Sequence, residues 1–256
     1  MTGSSASATS SPSTRAPSAR ATSPTAVENE RRLVYVWQLP VRLTHWLIFF
    51  SMGFLVFTGI YIGNPFYTVS GEAGEHFAMG TIKAIHSYSA IVFTLSVLTR
   101  VAWMFVGNRW ASWRAFLPLD ERARPGILGT LKFYLFVTPR PPYAVGHNPV
   151  AGLTYTLVFL LYFVMIASGL GLYALGANVH SPMRGFSFLL VLFGGPQSAR
   201  WVHHVTMWLL LGFVVHHVAS ALLISRVERS GLIDSIFSGY KFVPPDELEP
   251  EKEENR

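Results

Sequence analysis

Four long apolar runs, separated by polar connectors, set the plan of this chain. They cover about residues 43–63, 83–106, 150–175 and 202–225. Each is long enough to cross a bilayer as a helix, for which about 20 residues suffice. Two further apolar stretches, residues 126–138 and 186–193, are too short to cross and are expected to lie at the membrane interface. The pattern predicts an all-α integral membrane four-helix bundle over residues 31–243, with interfacial helices. Residues 1–30 are mostly Ser, Thr, Ala and Pro, without the apolar core of a secretory signal, and are expected to form a disordered tail. Residues 244–256 read as a polar tail.

Histidines interrupt the apolar pattern. The fourth run carries two doublets, His203–His204 and His216–His217. Ionisable groups inside a membrane span are costly and point to function. On a helix only His203 and His217 share a face, about 40° apart in direction and about 21 Å apart along the axis. The other three pairings diverge by about 120° or more. Two same-face ligands so far apart suit two metal centres stacked across a bilayer, not one shared ion. Neutral imidazole is a common ligand of haem iron. Partners stand in other runs: His45 near the start of the first, His86 in the first turn of the second. Gly53 and Gly59 lie close to the face of His45. They either admit a flat macrocycle or serve a helix–helix contact. Gly169 and Gly171, in the histidine-free third run, are expected to serve packing.

Composition agrees with a membrane protein: half the 256 residues are hydrophobic, 13% are charged and the mean hydropathy is +0.35. No cysteine is present. That excludes c-type haem, disulfides and cysteine-ligated iron–sulfur clusters within this chain. A redox protein of this sequence holds b-type haem non-covalently and takes its clusters from a partner.

The net charge of +6 is unevenly spread. Arg31, Arg32, Arg42, the connector from Arg109 to Arg140, Arg226 and Arg229 fall on one side of a four-span bundle. Only Lys83, Arg184 and Arg200 fall on the other. The positive-inside rule then puts both termini in the cytoplasm, with the spans in the inner membrane. His45 and His217 share the inner level, and His86 and His203 the outer. The expected pairs are therefore His86/His203 and His45/His217. By simple counting His217 lies deeper than His45; helix tilt or a later start of the first span would reconcile them. Arg42 and Arg226 at the inner level, with Lys83 and Arg200 at the outer, either pair with haem propionates or snorkel to headgroups.

Several stretches resemble a known family: LPVRLTHW (39–46), SGEAGEHFAMGTIKAIH (70–86), RVAWMFVGN (100–108), GHNPVAG (146–152), HHVTMW (203–208), HHV (216–218) and SGYKF (238–242). Together they resemble the b-type cytochrome subunit of membrane-bound nickel–iron hydrogenases, a relative of the formate dehydrogenase gamma subunit. The likeness runs from about Tyr35 to Val243. SGEA and GHNP are its most specific parts, because a generic four-helix cytochrome does not need those loops. The resemblance implies that His45, His86, His203 and His217 are the axial ligands of two b haems. It also implies that hydrogenase small and large subunits dock on the outer face. Electrons then pass to membrane quinone, and the chain itself does no chemistry on hydrogen. His204 and His216 are extra to the family pattern and are the alternative ligands. The outer loops, with Glu72, Glu75 and Arg184, are the expected docking face, with lipid contact the alternative for the loop before the fourth run. Other readings are a cytochrome subunit for formate dehydrogenase or thiosulfate reductase, and a haem-free membrane anchor. His76, His147 and His180 are expected to be solvated or hydrogen-bonded loop residues, His147 alternatively shaping a quinone or loop contact.

Overall fold

The computed structural model describes residues 31–67, 77–117 and 123–247. The expected N-terminal tail, most of the C-terminal one, and the loop bearing Glu72, Glu75 and His76 lie outside them. In chain order the elements are β1 (Arg32–Tyr35), α1 (Leu39–Gly63), α2 (Ala78–Val106), α3 (Ala123–Tyr134), α4 (Pro149–Gly176), α5 (Leu189–Leu192), α6 (Pro196–Glu228), α7 (Leu232–Ser238) and β2 (Tyr240–Val243). Helices α1, α2, α4 and α6 are each long and apolar enough to cross a membrane. The molecule is an all-α membrane bundle with a two-strand clasp.

Local chemistry accounts for the helix starts. Asn148 caps α4, its Oδ1 accepting the Ala151 N–H at 2.8 Å, and Pro149 follows at the first helical position. The Asn-Pro of GHNP is therefore a helix-start signal. Gly194 and Gly195 have φ of +78° and +112°, a conformation side chains avoid, and they turn the chain into Pro196 at the head of α6. Helices α1, α2 and α6 all begin earlier than the apolar runs suggest, because hydropathy marks the membrane core and not the helix ends. The early start of α1 at Leu39 places His45 six residues inside the helix. That removes the depth mismatch with His217; a later start is not what reconciles them.

Helix α1 lies along α2, and α4 along α6. Between the two pairs a central apolar layer of Ile48, Met52, Phe93, Val97, Val158, Tyr162 and Leu210 fills the middle of the bundle. Phe54, Leu95, Leu160 and Trp208 point outward and exposed, as lipid-facing residues do. Hydroxyls inside the spans bond back to their own helices: Thr44 to Pro40 O at 2.7 Å, Ser51 to Leu47 O at 2.6 Å, Ser96 to Val92 O at 2.7 Å. None of these O–H groups is left unpaired in an apolar surrounding.

The two short apolar stretches form short helical elements. Helix α3 has only 12 residues and leaves Leu128 and Leu131 exposed. The other stretch is a 3₁₀ segment, Pro182–Phe188, that runs into α5 and packs on α4.

The sheet was not foreseen. β1 and β2 pair antiparallel, Arg32 opposite Val243 and Tyr35 opposite Tyr240, so the chain is clasped where α1 begins and α6 ends. Lys241 is 1% exposed, paired with Glu228 at 3.3 Å, and donates to Ala144 O at 2.8 Å. Burial pulls its ammonium below the usual lysine range, and Glu228 opposes that shift. Gln38 Oε1 accepts from Trp103 Nε1 and from the Asn108 N–H, both at 2.9 Å. These bonds knit the clasp to the end of α2.

Candidate functional site

Two pairs of histidines face each other across the bundle, one pair at each level. At the level near the clasp, the His45 and His217 rings lie 6.3 Å apart, centre to centre, at 54°. At the other level stand His86 on α2 and His203 on α6, each turned toward a hydroxyl of a neighbouring span. His203 and His217 are half-buried and turned into the bundle, while His204 and His216 are exposed. The helix-face argument thus separates the doublets as the structure does. His204 Nδ1 is spent on Arg200 O, at 2.8 Å in its own helix, and His216 Nε2 approaches Ser220 Oγ at 3.5 Å.

Hydroxyl groups from the other spans orient the inward rings. His86 Nδ1 lies 2.8 Å from Thr58 Oγ1, and His203 Nδ1 lies 2.9 Å from Ser168 Oγ. Each hydroxyl already donates its hydrogen to its own helix, Thr58 to Phe54 O at 2.6 Å and Ser168 to Val164 O at 2.8 Å. A hydroxyl has one hydrogen, so Thr58 and Ser168 can only accept from the histidines. Nδ1 therefore carries the proton in both rings, and Nε2 keeps a free lone pair. That is the tautomer a metal-bound imidazole needs, held by the kind of outer partner such ligands use. At the other level, Tyr155 OH stands 3.3 Å from His217 Nδ1. His45 Nδ1 is buried and has no hydrogen-bond partner among the described residues.

All four spans contribute polar residues to each level. Thr58, His86, Ser168 and His203 come together at one level; His45, Arg100, Tyr155 and His217 are the inward polar groups at the other. Between them lies the apolar layer.

Two glycines make room beside the rings. A Cβ at Gly59 would stand 3.5 Å from His86 Cε1, and one at Gly169 would stand 3.3 Å from His203 Cε1. Gly169 thus clears a histidine, which its expected packing role did not anticipate. Gly171 does serve packing: a Cβ there would stand 3.0 Å from Leu190 Cδ2. Nothing lies within 4 Å of a Cβ at Gly53.

The spacing of His45 and His217 would suit two imidazoles on one haem iron. Metal–nitrogen bonds of about 2 Å on both sides, plus the two ring half-widths, put imidazole centres roughly 6 Å apart; His45 and His217 already have that spacing. Among the described residues no group of three or more histidines or carboxylates gathers around a metal. Each pair would offer two nitrogens to a haem iron, whose macrocycle would supply the rest.

The structure also places the loop histidines and the basic residues. His147 is not solvated: Trp37, Phe116 and Tyr155 surround its ring, with centroids at 4.8, 5.4 and 4.9 Å, and its Nδ1 is buried without a partner among the described residues. Burial, followed by the charges of Arg100, His217 and Lys241, pushes its pKa down to about 3. His180 is exposed, as expected, and His76 lies outside the described residues. Of the basic residues considered for propionates, Lys83, Arg200 and Arg226 are exposed, and Arg42 donates to Phe237 O. The guanidinium that does enter the bundle is Arg100, 6% exposed. Its signal was in the chain: it follows His86 by the spacing that separates His203 from His217.

Comparison with known proteins places this arrangement. The family model described as prokaryotic cytochrome b561 matches residues 36–239. A protein of Cupriavidus necator named "Probable Ni/Fe-hydrogenase B-type cytochrome subunit" is 34% identical over 213 residues, 82% of this chain and 87% of its own length. The Escherichia coli K12 protein named "Probable Ni/Fe-hydrogenase 1 B-type cytochrome subunit" is 34% identical over 212 residues, 81% of this chain and 90% of its own. A similarly named protein of Azotobacter vinelandii is 35% identical over 216 residues, with 83% and 90% coverage.

Proposed function

The chain belongs to the prokaryotic cytochrome b561 family, and from that premise we propose that it is a dihaem membrane cytochrome b serving a nickel–iron hydrogenase. The observation that carries this reading is the pair of inward histidine couples, His86/His203 and His45/His217, stacked along α6. The names of the relatives support the hydrogenase as partner. When bound, b-type haems supply single-electron transfer between the small subunit's iron–sulfur relay and membrane quinone.

The chain's own residues do the positioning. His86 and His203 present Nε2 to the outer level, because Thr58 and Ser168 hold their Nδ1–H groups. His45 and His217 do the same work at the inner level, where Tyr155 braces His217. The apolar layer around Phe93, Val97 and Tyr162 excludes water between the levels and holds their spacing. The arginine asymmetry favours cytoplasmic termini in the inner membrane, so the His86/His203 level faces the docked hydrogenase subunits. Quinone is then reduced near the His45/His217 level.

Reduction by hydrogen tests this function. The purified chain should show b-type absorption that dithionite reduces and hydrogen alone does not. Adding the hydrogenase heterodimer should make hydrogen reduce it. A chain without b-type absorption would be an anchor only. If full quinone reduction persists in membranes lacking this chain, the relay reading is lost.

A further inference from the structure

Arg100 is a buried cation in search of an anion. It lies on α2, fourteen residues beyond His86, so it shares that residue's face to within about 40° and lies about 21 Å further along the helix. The same displacement carries α6 from His203 to His217. Arg100 therefore occupies, on α2, the inner-level position that a histidine occupies on α6.

Its surroundings are apolar and aromatic. The guanidinium carbon sits 5.1 Å over the ring of Phe116, and Nη1 donates to Ala111 O at 3.3 Å. Phe116 is 6.4 Å from Tyr155, ring to ring, and Tyr155 reaches His217 Nδ1. Among the described residues no carboxylate comes within ion-pair distance of Arg100. A guanidinium has five N–H donors, and a single carbonyl uses one. A buried charge without a counter-ion costs several kcal/mol, more so at a membrane span. Arg100 is 94% buried by its 6% exposure, and it cannot shed its proton to escape that cost. The planar fork of N–H groups matches a carboxylate.

We propose that Arg100 is the anchor for a propionate carboxylate of the inner haem, an assignment that rests on the dihaem reading above. The pair neutralises the propionate inside the bundle and fixes the rotation of the macrocycle between His45 and His217. It also raises the midpoint potential of that haem, because a neighbouring cation favours the form with the added electron. Of the inner-level candidates by sequence, Arg226 is exposed, and Arg42 donates to Phe237 O while its Nε is buried without a partner among the described residues.

Potentiometric titration of the purified full-length chain, followed by visible spectroscopy, tests the assignment with Arg100→Gln and Arg100→Lys. His217→Ala identifies which midpoint belongs to the inner haem, since that one disappears. Arg100→Gln should keep the outer midpoint unchanged and move the inner one to lower potential. The inner midpoint should also become pH-dependent, as the unpaired propionate now takes up a proton on reduction. Arg100→Lys should recover part of the shift. A merely structural arginine would lower haem content without giving one midpoint a new pH dependence. Two haems in the wild-type protein with unmoved midpoints in Arg100→Gln overturn the assignment alone. Unmoved midpoints with lost binding of a quinone analogue overturn it in favour of a quinone oxygen as the anion. A wild-type chain with no His45/His217 haem overturns the assignment and the dihaem reading together.

Discussion

Ser168 Oγ stands 2.9 Å from His203 Nδ1 while its own hydrogen is committed to Val164 O. The relationship makes a helix-internal hydroxyl the acceptor that selects a histidine tautomer. Thr58 repeats it for His86 from the opposite helix pair. Replacing Ser168 or Thr58 with Ala should weaken haem binding at the outer level by roughly 10- to 100-fold, the usual effect of losing a ligand's outer partner. Haem titration of the purified variants, with the inner haem as internal reference, measures the effect. Equal weakening of both haems would point to a general loss of structure.

Lys241 and Glu228 form a buried pair, 1% and 10% exposed. Lys241→Met leaves the carboxylate buried without its cation and should cost about 3 kcal/mol. Adding Glu228→Leu should recover most of that loss. Thermal unfolding in detergent resolves the order: the double variant should melt above Lys241→Met alone.

His147 makes the clasp end sensitive to acid. Its folded pKa of about 3 lies below the ordinary histidine value of 6.5. The unfolded chain therefore binds the proton more readily, and folded-state stability is lost as pH falls from about 6.5 toward 3. Above pH 6.5 the effect is absent. His147→Phe should flatten this part of a melting-temperature profile in detergent, while overlap with wild type contradicts the stated cause. Its ring neighbours Trp37, Phe116 and Tyr155 are all able to pack on a phenyl ring.

The arginine asymmetry predicts the membrane sidedness. A cytoplasm-active reporter fused after Arg140 should be active, and one fused after His180 silent. The reverse pattern would put the His86/His203 level on the cytoplasmic side and move the docked partner with it.

Much of the site is readable in the chain because helical periodicity is strict. The 100° step separates His203 from His204 and His217 from His216 before any packing is known. The four spans are equally plain, since apolar runs of that length have few other uses. What periodicity does not carry is contact between distant segments. The GHNP motif looks polar, yet His147 is enclosed by Trp37, Phe116 and Tyr155 from three other parts of the chain. Ser168 and Thr58 read as ordinary span hydroxyls until the helix pairing sets them opposite histidines. The β1–β2 clasp has no local signal, because its two four-residue strands pair Tyr35 with Tyr240, 205 positions further on. Arg100 stands near the far end of the second run, fourteen residues after His86, but that spacing alone does not show that its guanidinium is buried.

The most direct test of two stacked haem sites is the haem-to-protein ratio of four single variants. His203→Ala and His217→Ala should each lower it from two haems to one, His203 removing the outer haem and His217 the inner. His204→Ala and His216→Ala should each retain both. An equal loss in His204→Ala or His216→Ala, or two haems retained in His203→Ala, would contradict the account.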